Sequence, residues 1–402
     1  MNTFTTRRGT SAPIRRRRTP LRAPLPCCYR RRVILLDANA SVPPLPAAKT
    51  ALLRALDVEG NPSSPHAPGR AARRVLDEAR DQVAVACGAA SKEVFFTSGA
   101  SEGNRLIVDM LIEAGARRQR PFVVVTTALE HPSTHKPLQR AAARGQLVVR
   151  TLPLKDEVVV VDPAQLADAD AVVVTAAHNE TGLLLDLAAL GASLGDDVIL
   201  LVDAAQSLGR TQAPPDRVDG IVCSAHKLGG YAGAGAVVLR RRARALPPPW
   251  TGGGQENGLR PGTEATALHA AFGAACAVID DTRRRHQLLI PLRDGLEARV
   301  VAACGGRALC ARHARLPNTT AIVFPGVDGD ALRLWLDQAG VAVGFGAACS
   351  ALAPEPSPGL IALGLDVDDT RRVVRLSLTP GISEADVDDA ADRIAAVAHK
   401  LR

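Results

Sequence analysis

The chain has 402 residues, of which 47% are hydrophobic and 22% are charged. These proportions are typical of a globular protein, and the length is sufficient for one large domain and one smaller domain. No apolar run is long enough to cross a membrane. The net charge of +8 falls to −2 once residues 1–32 are set aside, because they hold ten arginines and no lysine or acid. We therefore expect neither membrane insertion nor nucleic-acid binding by the body of the chain.

Residues 1–32 form an arginine-rich extension that also contains Pro, Thr and Ser. This composition predicts disorder, and an organellar targeting segment or a nucleic-acid-binding arm has a similar composition. We favour an extension without a function of its own, because residues 15–18 form a run of charge rather than an amphipathic helix. We expect a cytoplasmic protein, with organellar targeting by this segment as the alternative.

The eight cysteines include no CxxC pair and no spacing typical of a disulfide framework. Free thiols in a reducing compartment are the simplest account. Two groups of side chains have spacings that a metal site could use, namely Cys304, Cys310 and His313, and His131 with His135. Neither group supplies four ligands, so we predict no metal.

The remainder of the chain alternates short β-rich runs with helical stretches, which indicates an α/β fold with a mainly parallel sheet. Seven strands are predicted in the first part, at residues 93–97, 122–126, 146–151, 171–175, 198–202, 220–224 and 236–239. Helices fit between them at residues 101–115, 134–144, 163–168 and 186–194. A helical stretch at 264–303 leads into a second α/β unit, with strands at 319–324, 341–343 and 372–378 and helices at 329–339 and 383–400.

These elements divide the chain into three parts. The extension covers residues 1–32. A large domain covers residues 33–263, and we expect its first residues to pack on the smaller domain. Residues 264–402 form a linking helix and a small C-terminal α/β domain, which carries the loop around Cys349.

Lys227 is the first candidate for chemistry. Lysine is scarce here, since most basic residues are arginine, and Lys227 lies between an apolar run at 218–223 and a glycine-rich segment at 228–235. A lysine amine whose pKa is lowered by burial can form a Schiff base with a carbonyl group, which arginine cannot do. Ser224 and His226 beside it can donate to a phosphate. Viewed alone, a solvated lysine on a loop is the more common situation.

Further candidates follow predicted strands, at the edge where open α/β sheets bind ligands. Gly99, Ala100 and Ser101 form a small-residue turn that leads into a helix, where backbone N–H groups favour a phosphate. His131 follows another strand and is suited to stacking on an aromatic ring or to proton transfer. Each has an ordinary structural alternative, because serine is a common N-cap and a histidine at a strand end is often simply packed.

Asp203 ends a buried apolar run, where a carboxylate needs a cationic partner or strong hydrogen-bond donors. A protonated pyridine nitrogen would be such a partner, and Gln206 is then placed to bond a ring substituent. Asn179 follows another strand and either bonds a ligand or makes the turn. Together, the phosphate site, Asp203 and Lys227 describe a pyridoxal-phosphate site.

The same stretches resemble, in order, the cysteine desulfurases of the NifS and IscS kind, which are class-V aminotransferases with the fold-type I architecture of pyridoxal-phosphate enzymes. The likeness extends from residue 36 nearly to the C-terminus. It is carried by Leu36-Asp37-Ala38-Asn39-Ala40, Gly60-Asn61-Pro62-Ser63-Ser64-Pro65-His66, Phe96-Thr97-Ser98-Gly99-Ala100-Ser101-Glu102, Glu130-His131-Pro132-Ser133, Asn179-Glu180-Thr181-Gly182, Asp203-Ala204-Ala205-Gln206, Ser224-Ala225-His226-Lys227, Gly252-Gly253-Gly254-Gln255-Glu256, Gly258-Leu259-Arg260, Gly262-Thr263, Leu316-Pro317-Asn318-Thr319, Ala348-Cys349-Ser350 and Glu355-Pro356-Ser357. So many motifs in one order are highly specific.

The resemblance implies a role for each candidate toward the cofactor. Lys227 would carry the cofactor and move protons, Asp203 would keep the ring nitrogen protonated, and His131 would stack on the ring and assist proton transfer. Gln206 would bond the ring oxygen. The phosphate ligands implied by the family are Gly99, Ala100, Ser101, Ser224, His226 and, across a homodimer, Thr263 of the partner subunit.

The resemblance also implies how substrate and sulfur are handled. Asn179, which we also count among the cofactor-binding residues, and Arg375 look like the clamp for the substrate carboxylate. Cys349 stands at the position of the nucleophile, whose thiolate takes the sulfur of L-cysteine as a persulfide and releases L-alanine. We expect Cys349 on an exposed, mobile loop. The distance from Cys349 to Glu355 resembles the subgroup that passes sulfur to a partner protein.

Some positions depart from the family pattern. Residues 344–347 replace a serine-containing segment, and Phe345 adds an apolar group before the cysteine motif. Other replacements are His178 for asparagine, Ser101 for threonine and Asn257 for arginine. None falls on the cofactor lysine or on the cysteine nucleophile.

The main hypothesis is a cysteine desulfurase that supplies sulfur for iron–sulfur cluster assembly or another sulfur transfer. We expect L-cysteine, a second copy of the chain and a sulfur-acceptor protein, such as an iron–sulfur scaffold or a sulfur carrier, as its partners. One alternative is a selenocysteine lyase, or another class-V lyase or aminotransferase, that does not need Cys349. Another is a sulfur-trafficking scaffold without turnover, against which Lys227 and Asp203 argue. A nucleic-acid-binding protein rests on residues 1–32 alone.

Overall fold

A computed structural model of the protein describes residues 32–345 and 356–402. The strands in those residues are β1 Ile34–Leu36, β2 Val94–Thr97, β3 Phe122–Thr127, β4 Leu147–Leu152, β5 Leu154–Lys155, β6 Val158–Val159, β7 Ala171–Thr175, β8 Ile199–Asp203, β9 Gly220–Ser224, β10 Gly235–Leu239, β11 Arg307–Ala308, β12 Thr319–Val323, β13 Val341–Phe345 and β14 Val373–Ser377. The helices are α1 Pro46–Leu56, α2 Ala67–Cys87, α3 Ala100–Arg117, α4 Pro132–Ala143, α5 Pro163–Leu166, α6 Leu187–Ala192, α7 Thr266–Ala277, α8 Ile279–Gln287, α9 Ile290–Cys304, α10 Gly329–Gln338, α11 Pro358–Ala362, α12 Val367–Arg371 and α13 Glu384–Leu401.

The larger sheet has seven strands in the order β2-β10-β9-β8-β7-β3-β4. Only β10 runs antiparallel to its neighbours, so the mainly parallel seven-stranded sheet predicted from the sequence is confirmed. Both faces of this sheet are covered. In β7, Val172 and Val174 enter one apolar cluster and Val173 enters another on the opposite face. Such strands contain continuous apolar residues because neither face meets water.

Helices supply the two coverings of the sheet. Helices α3 and α4 contribute Leu106, Leu111 and Leu138 to one cluster, while α2 and α7 contribute Leu76 and Phe272 to the other. This packing holds the strands so that six of the seven end at one edge of the sheet.

The smaller sheet has five strands in the order β1-β13-β14-β12-β11. Its first strand comes from the start of the described chain and pairs in parallel with β13, with Ile34 opposite Val341. Helices α9, α10 and α13 cover this sheet with a separate apolar cluster. The pairing of β1 brings the segment just after it, which contains Asp37 and Asn39, to the edge of the larger sheet.

The helical stretch predicted at 264–303 is correct in extent but divided into three helices. Helix α7 ends before Val278, and α9 begins at Ile290 with Pro291 in its first turn. Proline fits there because the first N–H groups of a helix have no intrahelical partner. Helices α1 and α2 occupy residues for which the sequence suggested no element. No helix in the described residues is both long enough and apolar enough to cross a membrane.

Candidate active site

A cavity of about 450 Å³ lies at the edge where the parallel strands end. Eleven of the thirteen site residues predicted from the sequence line it, namely Gly99, Ala100, Ser101, His131, Asn179, Asp203, Gln206, Ser224, His226, Lys227 and Arg375. Asp203 is the last residue of β8, and Ser224 is the last residue of β9. Parallel neighbours end at the same edge of a sheet, which explains why residues distant in sequence meet here.

Lys227 is held by backbone oxygens from the segment that follows β1. Its Nζ donates to the carbonyl of Asn39 and, at 3.0 Å, to that of Ala40. Burial lowers the pKa of the Lys227 amine to about 8, and the nearby cations Arg210 and Arg375 act in the same direction. Asp37 and Asp203 oppose this shift of the Lys227 pKa. An amine in this environment is closer to its neutral, nucleophilic form than a lysine in water.

Asp203 is buried without a cationic partner within salt-bridge distance among the described residues. Its Oδ2 accepts from the Asn104 amide at 2.7 Å, and its Oδ1 accepts from the backbone N–H of Ala205 at 2.9 Å. Two neutral donors orient the carboxylate but do not neutralise it. A cationic ring nitrogen entering the cavity would therefore find a fixed, unneutralised carboxylate.

His131 is tied to the same network. The backbone N–H of Ser133 donates to its Nδ1 at 3.1 Å, and the Ser133 hydroxyl lies 2.7 Å from that nitrogen. The Asn104 amide donates to the Ser133 hydroxyl at 3.0 Å, in addition to its bond with Asp203. Burial lowers the pKa of His131. The lowered pKa favours the neutral ring, and because Nδ1 accepts the Ser133 N–H, the proton of that ring lies on Nε2.

The part of the cavity lined by the start of α3 is suited to an anion. Gly99 precedes the first turn of α3, where backbone N–H groups lack intrahelical partners. Gly235 allows this turn to approach β10, because a Cβ on Gly235 would lie 2.6 Å from the Gly99 Cα. Ser224 and His226 line the same cavity, and a Cβ on Gly99 would lie 3.8 Å from the Ser224 hydroxyl. Burial and the neighbouring cations lower the pKa of His226 to about 4, so it can donate a hydrogen bond as a neutral ring.

Arg375 enters the cavity from β14 of the smaller sheet. Its guanidinium pairs with Asp37 at 2.6 Å and donates to the carbonyl of Asn179 at 3.0 Å, while its Nε has no partner among the described residues. Gly344 makes this position possible, because a Cβ there would lie 2.5 Å from the guanidinium. Arg375 and Asn179 both line the cavity, so a small carboxylate bound there could contact both residues.

Two predicted site residues are not in this list. Thr263 is exposed and does not line the cavity of its own chain, and Cys349 lies outside the described residues. Phe345 ends β13 and packs into the apolar cluster of the smaller sheet, with the Arg333 guanidinium 4.7 Å from its ring. His178 is buried with its Nδ1 2.9 Å from the Thr181 hydroxyl. Burial lowers the pKa of His178 to about 3.

The sequence analysis missed several residues that hold the site together. Asn39, Asn104, Ser133 and Arg210 were given no role, although Asn39 and Ser133 lie in motifs that carry the resemblance. Arg210 follows Gln206 by four residues and bonds its amide oxygen at 2.8 Å. Nothing in the local pattern distinguishes Arg210 from the many other arginines, so only its burial reveals it.

The donor set fits a cofactor with an anionic group, an aromatic ring and a carbonyl carbon. Arg375 brings a buried guanidinium to the cavity, and Arg210 lies buried behind the lining, where it bonds Asn39 and Gln206. Asp203 supplies an unneutralised carboxylate, and Lys227 supplies the amine. No group of three or more His, Cys, Asp or Glu side chains that could hold a metal occurs in residues 32–345 and 356–402.

Comparison with known proteins places these residues in a wider context. Residues 34–389 match the sequence profile described as Aminotransferase class-V. A cysteine desulfurase of Frankia sp. (strain EuIK1) is 34% identical, with 92% of each chain covered. The solved structure of a NifS-like protein superposes with a TM-score of 0.83 at 25% identity, covering 92% of this chain and all of that one. The structure of SspA in complex with cysteine has a TM-score of 0.72 at 25% identity, covering 86% of this chain and 99% of that one.

Proposed function

The chain belongs to the class-V aminotransferase family, and on that premise we propose that it is a pyridoxal-phosphate-dependent cysteine desulfurase. The reaction converts L-cysteine into L-alanine and leaves the sulfur on Cys349 as a persulfide. The observation that carries this proposal is the Lys227 amine, which shares one cavity with Asp203 and His131 on one side and Arg375 on the other.

The cofactor is proposed from the fit of the cavity and from the family. Asp203 would face its ring nitrogen, and Gly99, Ala100, Ser101, Ser224 and His226 would hold its phosphate. When bound, pyridoxal phosphate supplies a protonated ring that takes up electrons from the substrate Cα. The remaining chemistry belongs to the side chains of the chain itself.

Lys227 is the group that moves the Cα proton. Its pKa of about 8 leaves part of the amine unprotonated at neutral pH, and an acid or base whose pKa lies near the working pH transfers protons most effectively. The neutral His131 presents a proton on Nε2 toward the cavity. It can donate that proton to a developing negative charge and recover it from the substrate.

Arg375 and Asn179 bind the substrate carboxylate. Arg375 lines the cavity with its guanidinium, and Asp37 fixes the plane of that group by pairing with it. A carboxylate held at this point orients the amino group of the substrate toward Lys227. Charge-assisted hydrogen bonds of this kind contribute about 1.5–3 kcal/mol each.

The sulfur step is balanced without a further oxidant. The Cys349 thiolate attacks the substrate sulfur, the S–S bond forms, and the substrate Cβ–S bond breaks with its electron pair going to carbon. Protonation of that carbon produces alanine, and the enzyme keeps the sulfur as a persulfide. A thiol reductant or an acceptor protein then removes the sulfur.

The decisive experiment measures alanine and sulfide released from L-cysteine in the presence of a thiol reductant. Wild type should produce both, Cys349→Ala should produce neither, and Cys310→Ala, which removes a buried thiol outside the cavity, should retain turnover. Continued alanine and sulfide release by Cys349→Ala would replace the proposal with a lyase that does not need this cysteine, such as a selenocysteine lyase. A silent wild type would show that the substrate is wrong.

We propose a homodimer in which Thr263 reaches the cofactor phosphate of the partner chain. Thr263 is exposed, and the adjacent Glu264 is buried with no hydrogen bond to either carboxylate oxygen within the described residues. The Arg73 guanidinium lies 3.9 Å from the Glu264 carboxylate. Sedimentation should show a dimer, and Thr263→Ala should weaken cofactor binding. A monomer that binds the cofactor with wild-type affinity would contradict this proposal.

A further inference from the structure

Arg210 is a buried cation without an acidic partner. It is 1% exposed, and its guanidinium donates only to neutral oxygens: the Asn39 side-chain oxygen at 2.5 Å, the Gln206 side-chain oxygen at 2.8 Å and the Ala38 carbonyl at 3.2 Å. No carboxylate lies within salt-bridge distance of it in the part of the chain that the structure describes, and its Nε has no partner there. An unneutralised buried charge is costly, which suggests that this one has a use.

The first use concerns the orientation of Gln206. Arginine can only donate and a backbone carbonyl can only accept. Arg210 donates to the Gln206 Oε1, and the Gln206 Nε2 donates to the Asn39 carbonyl at 3.0 Å. The two contacts leave only one orientation of the amide. Gln206 lines the cavity, so the second hydrogen of its Nε2 remains available for an acceptor there.

The second use concerns Lys227. Both cations bond the same short segment, since Arg210 contacts Ala38 and Asn39 while the Lys227 amine contacts Asn39 and Ala40. The charged or titratable groups around Lys227 are Arg210, Arg375 on β14, Asp37 after β1, Asp203 at the end of β8, and the rings of His131 and His226. Asp37 is paired with Arg375, whereas Arg210 has no such compensation.

We propose that Arg210 is a positioning residue that holds Gln206 as a hydrogen-bond donor toward the ring oxygen of the cofactor and places an uncompensated positive charge beside Lys227. This inference rests on the proposed cofactor site, but its effect on Lys227 exists before any cofactor binds. Burial and Arg375 lower the pKa of Arg210 itself only to about 9, so it remains charged at neutral pH.

The test uses the full chain after removal of the cofactor. Lys227 is acetylated with acetic anhydride over a range of pH, and mass spectrometry compares its labelling with that of the exposed Lys49. In wild type the labelling midpoint should lie near pH 8. In Arg210→Met it should rise by about one pH unit, because a nearby like charge has been removed. Arg210→Lys keeps the charge and should keep the midpoint.

Two further variants separate the charge from the loss of a buried side chain. Arg210→Gln keeps a polar group without the charge and should shift the midpoint as Arg210→Met does. Arg293 is another buried arginine, paired with Asp294 and outside the cavity, and Arg293→Met should leave the midpoint unchanged. A folded Arg210→Met or Arg210→Gln with a wild-type midpoint would overturn the inference. Failure of both neutral variants to fold would assign the charge a structural role and overturn it equally.

The action through Gln206 is tested by a double-mutant cycle on the dissociation constant of pyridoxal phosphate. Arg210→Met and Gln206→Leu should each weaken binding, and the double variant should lose little more than Gln206→Leu alone. Additive losses would show that Arg210 does not act through Gln206. Neither readout requires turnover of cysteine, so a wrong substrate would leave both results interpretable.

Discussion

Each sheet brings one charged side chain to the cavity. The two charges are opposite in sign, and they differ in whether a neighbouring charge already neutralises them. The larger sheet presents Asp203, which is held by two neutral N–H donors and by no cation within salt-bridge distance among the described residues. The smaller sheet presents Arg375, which is already paired with Asp37 at 2.6 Å. In the proposed function, Asp203 would take a permanent cationic partner, whereas Arg375 would bind a carboxylate that arrives and leaves. This difference suits a resident cofactor on one side and a substrate on the other.

The largest effect is expected at Lys227, whose amine lies in the cavity to which both sheets contribute. Lys227→Ala should lower alanine release by about 10³-fold or more and abolish the visible absorption of bound cofactor, because no other amine is held in the cavity by the described residues. Lys49→Ala, on the exposed face of α1, should change neither. If Lys227→Ala keeps the absorption band, Lys227 is not the residue that carries the cofactor.

The next largest effect is expected at Asp203, whose carboxylate has no cationic partner within salt-bridge distance among the described residues. Asp203→Asn keeps the shape but loses the charge, and it should reduce kcat/KM by at least about a hundredfold, since the loss of one partner of a buried pair costs about 3–5 kcal/mol. The dissociation constant of the cofactor should rise as well. Asp170 is also buried but pairs with Arg118 and Arg120 outside the cavity. Asp170→Asn should therefore lower the melting temperature and leave kcat/KM unchanged, and equal kinetic losses in both variants would contradict the assignment.

A smaller effect is expected at Arg375, whose charge is already paired with Asp37. Arg375→Lys keeps the charge but loses the planar set of donors, and it should raise KM for L-cysteine by about 10- to 100-fold with a lesser effect on kcat, from the loss of one charge-assisted hydrogen bond. Steady-state kinetics separates the two parameters. Arg372→Lys, which affects an arginine paired with Asp369, serves as the control. An unchanged KM with a reduced kcat would remove Arg375 from substrate binding.

The smallest effect on turnover is expected at Glu130, a buried carboxyl that bonds the Thr127 hydroxyl and the Thr175 N–H. Burial raises the pKa of Glu130 to about 8 from an ordinary value near 4.5. The stability that this carboxyl contributes is therefore complete below pH 4.5 and is lost as the pH rises toward 8, by up to a few kcal/mol. Glu130→Gln should remove this part of the pH dependence. Urea unfolding at pH 5 and pH 8 measures it, with Glu113→Gln as the control, and an unchanged difference between the two pH values would refute the assignment.

Much of the larger sheet was determined by the sequence alone. Its seven strands were predicted within one residue at nearly every end, because buried parallel strands contain continuous apolar residues between turn-forming ones. Asp203, Ser224 and Lys227 could be predicted for the same reason. Asp203 and Ser224 end such strands, Lys227 follows the second of them by three residues, and the ends of parallel strands meet at one edge.

The tertiary structure alone decided which groups stabilise those residues. Asp37 and Arg375 are 338 residues apart, and Asn39 and Arg210 are 171 residues apart. Contacts over such separations leave no periodic signal in a single sequence. They arise because β1 crosses to the smaller sheet and returns its next residues to the cavity. The sequence therefore determined which chemical groups are available, and the packing of the two sheets decided which of their charges are neutralised.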